Sequence, residues 1–162
     1  MLDRLTDERP DERRESAEER VLSRQQLRAA VLRDLSWLFN ATRLEPEPAS
    51  THRREIELWK SHPHARKSVL NFGLPAFAGT TKSTLNRSAM EAAIKQAITD
   101  FEPRIDPTTL VVDIRIGSKA QNNSLELSIR GNMWSQPMPV EMMVTADVDL
   151  ETGHAQMREL RK

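Results

Sequence analysis

Apolar residues recur at helical spacing in the first half of the chain and at every second position in the second half. Leu27, Val31, Leu35 and Leu38 define one helical stripe, which Leu32 and Phe39 widen. Ser23 and Gln26 form a capping box at its start, so a first helix begins at Ser23. It should stop before Pro46 and Pro48, because proline lacks an amide donor and restricts the residue before it. Thr51 to Trp59 is charged and ambiguous; Pro63 interrupts the chain, and the apolar run Val69, Leu70 and Phe72 reads as a short helix ending near Gly73. A second strong helix is predicted from Ser88, with Glu91 completing another capping box and Met90, Ile94, Ala97, Ile98 and Phe101 on one face. Pro103 ends it.

Beyond Pro103 the period falls to two. Leu110, Val112, Ile114 and Ile116 alternate with Asp113 and Arg115; Leu125, Leu127 and Ile129 alternate with Glu126, Ser128 and Arg130. The turn-rich stretch from Gly117 to Asn123 joins these strands most economically as an antiparallel hairpin. A third strand carries Val140, Met142, Val144, Ala146 and Val148 on one side, and Glu151-Thr152-Gly153 closes it. The pattern predicts an α+β fold, in which helices from the N-terminal half pack on one face of a small antiparallel sheet from the C-terminal half. The other face is polar, with Val111 and Met143 as its apolar exceptions. Residues 1–22 read as a charged tail and residues 23–162 as one domain, a size that a single core supports. The stretch from Thr6 to Arg20 is too polar to order itself, so the tail is either solvated or docks on a neighbour through Leu2 and Leu5.

Composition narrows the functional classes. Lys plus Arg and Asp plus Glu each number 24, which leaves no global field to attract nucleic acid or an acidic membrane and points to protein partners. There is no cysteine, hence no disulfide framework or thiolate metal site. No segment approaches a membrane span, and the charged N-terminus lacks an apolar signal core, so the expected location is cytoplasmic. Aromatic residues make up 4% of the chain, a poor endowment for stacking on bases or sugars.

The tripeptide Glu102-Pro103-Arg104 stands where the second helix must end. Proline pushes Glu102 toward an extended conformation, and residues two apart in an extended chain project to one side. A carboxylate and a guanidinium can then be presented together as a docking point, or they can cap and salt-bridge within the fold. Three further segments accompany it: Leu2-Asp3-Arg4-Leu5, the run Ser68-Val69-Leu70-Asn71-Phe72-Gly73-Leu74-Pro75, and the ending Val148-Asp149-Leu150-Glu151-Thr152-Gly153.

In their order and spacing these segments resemble the TssE family of type VI secretion baseplate subunits, related to a contractile-phage baseplate wedge protein whose family label includes the word lysozyme. The resemblance implies a non-catalytic wedge subunit in a baseplate docked at the inner membrane. It would join TssF, TssG and TssK and help seed the contractile sheath of TssB and TssC, with no cofactor. Glu102, Pro103 and Arg104 carry the family's motif. Ala76-Phe77-Ala78-Gly79 departs from it, since many relatives place an acidic residue and then leucine after Leu-Pro.

A peptidoglycan-cleaving enzyme would need paired carboxylates in a cleft, one of them with a raised pKa. Glu55 and Glu57 near Trp59, and Glu102 near Asp106, are available but follow no catalytic pattern. His62 and His64, with His52 upstream, give too few ligands for zinc unless His154 or distant carboxylates join them. Gly73 and Gly79 are too isolated to cradle phosphate, and no Ser-His-Asp spacing occurs. Trp134, with Met133 and Met138, is either folded over the sheet edge or a protein-binding anchor. A regulatory adaptor of the same fold is the alternative to an assembly protein.

Overall fold

The helical and alternating parts of the sequence separate into two layers in the computed structural model, which describes residue 11 and residues 23–46, 50–77, 86–116, 123–135 and 138–160. Helix α1, Arg24–Phe39, starts as its sequence predicts. The Ser23 backbone N–H donates to Gln26 Oε1 at 2.9 Å while Ser23 Oγ accepts from the Gln26 N–H at 3.2 Å. The helix buries Ala30, Val31, Leu35, Leu38 and Phe39. It ends well before Pro46 because Asn40 caps it. The Asn40 side-chain amide donates to the Ser36 carbonyl at 2.8 Å and to the Ala155 carbonyl at 3.0 Å, while its Oδ1 accepts from the Ala155 N–H at 3.0 Å.

The ambiguous segment resolves into helices α2, Arg53–Ser61, and α3, Pro63–Arg66, followed by a single 3-10 turn, Val69–Asn71. Val69 and Leu70, expected to form an apolar helix, are exposed at 83% and 64%, and the chain takes its anchorage from the residues after them. Buried Asn71 accepts from the Glu45 N–H at 2.9 Å and donates to the Arg66 carbonyl at 3.1 Å. Phe72 meets Phe101 edge to face at 5.3 Å, and Leu74 enters the core. Between them Gly73 has φ of 133°, and any Cβ there would sit 2.6 Å from the Ala41 carbonyl oxygen. Only glycine lets the chain run this close, closing Leu74 N–H to Ala41 O at 2.9 Å and Arg43 N–H to Leu74 O at 3.0 Å. The Asn-Phe-Gly-Leu run is therefore a backbone clamp behind the end of α1.

Helix α4, Arg87–Phe101, buries Ile94, Ala97 and Ile98 on the predicted face. Its cap differs from the predicted Ser88–Glu91 box. Asn86 Oδ1 accepts from the Ala89 N–H at 3.1 Å, and Glu91 is engaged elsewhere, accepting from Arg87 Nε at 2.8 Å and from the Ile114 N–H at 3.0 Å. Among the described residues, the strand that carries Ile114 has a neighbouring strand on one side alone; the Glu91 carboxylate accepts its outward N–H and ties α4 to the sheet.

The sheet comprises β1 (Val111–Ile116), β2 (Ser124–Met133), β3 (Val140–Asp149) and β4 (Ala155–Glu159), antiparallel throughout in the order β1-β2-β3-β4. The sequence pattern does not predict the fourth strand, because Ala-Gln-Met-Arg-Glu carries only a weak alternation; β3 supplies its pairing partners, with Ala146 opposite Met157 and Val148 opposite Ala155. The turn before it is built by Asp149, whose carboxylate accepts from the Glu151 N–H at 2.7 Å, and by Gly153 at φ of 75°. Leu125, Leu127, Ile129, Val144, Ala146 and Val148 line the inner face. Helix α1 lies on β4 and α4 lies on β1, so the two helices side by side close one core over the sheet. The turn between β1 and β2, and the Ala78-Gly79 end of the run after Leu-Pro, lie outside the described residues.

Candidate docking site at the Glu-Pro-Arg corner

The C-terminal end of α4 becomes the corner at which the helical layer passes into the sheet. Glu102 caps the helix, its N–H donating to the Ile98 carbonyl at 2.8 Å, and Pro103 prevents a further turn. The chain then joins the far end of β2: Ile105 bridges Met133, the Asp106 N–H donates to the Asn132 carbonyl at 2.8 Å, and the Trp134 N–H donates to the Arg104 carbonyl at 2.8 Å.

Glu102 and Arg104 do project to the same side, but they face each other and the interior instead of presenting two charges to solvent. Arg104 Nε donates to Glu102 Oε1 at 2.6 Å, Nη2 donates to Glu102 Oε2, and Nη2 also donates to Asp34 Oδ2 on α1. Glu102 is 2% exposed, and Arg104 keeps 18% of its side-chain surface. The Glu102 carboxylate, and after it Asp34, hold the Arg104 guanidinium above its ordinary range, against the opposing effect of burial. Asp34 is partnered further by Arg33 at 2.9 Å. Chemically this is a bidentate ion pair extended to a second carboxylate, and it fastens the end of α4 to α1. Asp34 was not singled out from sequence, although an acid beside Leu35 at the border of an apolar stripe was a usable signal.

Large apolar side chains on the elements that meet at this corner, and in the loop after β2, are exposed. Pro103 is exposed, Trp134 is 66% exposed and Met138 is 65% exposed. Trp37, on the same helix as Asp34, is 59% exposed with the Arg33 guanidinium 5.0 Å above its ring. Trp134 is thus on the surface, and the core position beside it belongs to fully buried Met133.

Compared with known families, residues 25–138 match the profile of baseplate wedge protein gp25, the family that includes TssE. The chain belongs to the gp25 baseplate wedge family. No curated protein matches it. The matched span in this wedge protein runs from α1 through the Glu-Pro-Arg corner and the first two strands to the Trp134 loop.

The other candidate residues of the wedge protein are scattered. Glu55, Glu57 and Asp106 are exposed, and the Asp106 carboxyl is held below its usual range by the Thr108 hydroxyl and N–H. Glu91 and Asp149 are lowered as well, by the Arg87 side chain and the Glu151 N–H respectively, which is opposite to the rise that a general acid needs. His62 Nδ1 lies 2.9 Å from the Leu58 carbonyl oxygen and 2.9 Å from Ser61 Oγ, while His52 lies 3.5 Å from Glu55. Among the described residues, no three His, Asp or Glu side chains gather to hold a metal. None of the described helices is long and apolar enough to cross a membrane. Leu2 and Leu5 lie outside the described residues.

Proposed function

We propose that this wedge protein is the TssE-type subunit of a type VI secretion baseplate, a structural part that acts by binding TssF, TssG and TssK and helps initiate the TssB–TssC sheath. Membership of the gp25 wedge family carries the baseplate role. The type VI assignment rests on the combined segments Leu2–Leu5, Ser68–Pro75, Glu102–Arg104 and Val148–Gly153. On this reading residues 23–162 act as one wedge domain in the cytoplasm, in a baseplate at the inner membrane, and residues 1–22 act as an assembly tail. The protein performs no catalysis and takes no cofactor.

Docking through the tripeptide takes a particular form on this geometry. Arg104 sets the angle of the corner by gripping Glu102 and Asp34, and exposed Pro103 and Trp134 make the contact, with Leu2 and Leu5 adding a second contact from the tail. Trp is enriched among residues that dominate interface energies, which supports Trp134 as the anchor. The test is co-purification of the tagged chain with TssF, TssG and TssK, alongside thermal melts. Wild type should capture the complex. Pro103→Ser with Trp134→Ser should lose most of it while melting normally, and Leu2→Ser with Leu5→Ser should weaken it. Failure of the wild type to capture any baseplate protein would refute the assignment.

A further inference from the structure

The segment Arg53–Asn71 is folded unlike the rest of the molecule. Helix α2 spans 9 residues and buries none of them, and α3 buries none either. Ile56 and Trp59 are half-buried, whereas Leu58 is 59% exposed, and Val69 and Leu70 follow on the exposed 3-10 turn. Isolated helices shorter than about 12–15 residues are marginal in water, so α2 gains little from its own hydrogen bonds. It packs chiefly on α3, and α3 on the 3-10 turn, which is clamped to the body through Asn71 and Gly73. Between this arm and α4 runs a groove of about 290 Å³, bordered by Pro63 and Lys67 on one side and by Gln96 and Asp100 on the other.

Charge distinguishes the arm as clearly as exposure does. Arg87 on α4, and Arg115, Arg130 and Arg158 on the strands, each meet a carboxylate of the fold. Among the described residues, Arg53, Arg54, Lys60 and Lys67 on the arm meet none, while Arg66 meets Glu45 at 2.9 Å, and Glu55 and Glu57 are the arm's own carboxylates. An amphipathic, net-basic element with uncovered leucines is the complement of a segment that carries both carboxylates and apolar side chains.

We propose that the arm Arg53–Asn71 is a second docking surface, taking an acidic, leucine-bearing segment of another baseplate protein; this rests on the baseplate reading above. Leu58, Val69 and Leu70 supply the apolar contact, and Arg53, Arg54, Lys60 and Lys67 select for acidic neighbours. Two other occupants fit less well. An anionic bilayer would find little to hold on α2, where Ile56 and Trp59 are half-buried and Leu58 is the one exposed apolar side chain. The chain's own residues 1–22 set Arg4, Arg9, Arg13, Arg14 and Arg20 among their carboxylates, and these would meet Arg53 and Arg54 as like charges.

The experiment uses the full chain in the wedge complex reconstituted with TssF, TssG and TssK. A photo-crosslinking residue at position 70 should attach to an Asp/Glu-rich, apolar segment of a partner. Leu58→Ser with Leu70→Ser, and separately Arg53→Glu with Arg54→Glu, should each weaken capture by about tenfold or more while leaving the melting temperature unchanged. Raising salt from about 0.05 to 0.5 M should weaken the wild type more than the charge-reversed variant. Undiminished capture by both variants overturns the proposal. So does a cross-link to the chain's own residues 1–22, or sedimentation with phosphatidylglycerol vesicles that both variants lose while still binding the partners. A wild type that captures no partner refutes the baseplate reading itself, a result separable from these.

Discussion

Replacing Arg104 by alanine tests whether the corner is held by its ion pair. Glu102 would remain in place at 2% exposure without Nε at 2.6 Å and without Nη2, keeping only the residue-104 N–H at 3.2 Å, while Asp34 would retain Arg33. Leaving one partner of a buried pair uncompensated costs about 3–5 kcal/mol. The residual accessibility of 18% at Arg104 and 28% at Asp34 lets water moderate that loss, which places the expected cost near the lower end, about 3 kcal/mol. For a chain of this length the melting temperature should fall by about 6–12 °C, and a domain with ordinary stability of about 5–15 kcal/mol should still fold. Removing both charges, with Glu102→Gln and Arg104→Met, should recover most of the loss, since no buried charge is then stranded. Calorimetry and urea titration with an unchanged m value provide the measurement. An Arg104→Ala protein melting within about 2 °C of wild type, or a double variant less stable than the single one, would refute the reasoning.

Gly73→Ala should be costly, because the new Cβ meets the Ala41 carbonyl oxygen at 2.6 Å and φ stays at 133°; a loss of about 3 kcal/mol in urea unfolding is expected, against near zero for Ala76→Ser at an exposed position. Asn86→Ala should destabilise α4 by about 1 kcal/mol and Ser88→Ala by a few tenths at most, a comparison that distinguishes the observed cap from the predicted one. Acid should weaken the tie between α4 and β1. The Arg87 side chain and the Ile114 N–H hold the Glu91 carboxyl below its ordinary 4.5, so its stabilisation is complete above that pH and is lost as pH falls through the lower folded-state value. The stability difference between wild type and Glu91→Gln, measured by urea unfolding across that range, should therefore shrink with acidification and vanish at the acid end.

Local pattern carried much of this protein. The Ser23–Gln26 capping box, the α1 and α4 stripes, three of the strands and the α+β layering depend on spacings of two to four residues and on burial of one face, and the sequence by itself determined them. Ser68–Pro75 and Glu102–Arg104, two of the segments that carried the family resemblance, lie within the matched span, although what each does mechanically was not legible. Only the tertiary structure decided the rest. Asp34 and Arg104 are 70 residues apart in sequence, so the grip of α1 on the corner could not be read from the tripeptide. Ser88 lost the cap to Asn86, Glu91 being drawn away by an edge-strand N–H 23 residues on. Strand β4 exists because β3 offers an open edge, and Gly73 is required because another piece of backbone passes within contact of it. In each case the deciding partner is distant along the chain, and hydrogen-bonding need and packing space are properties of the assembled fold.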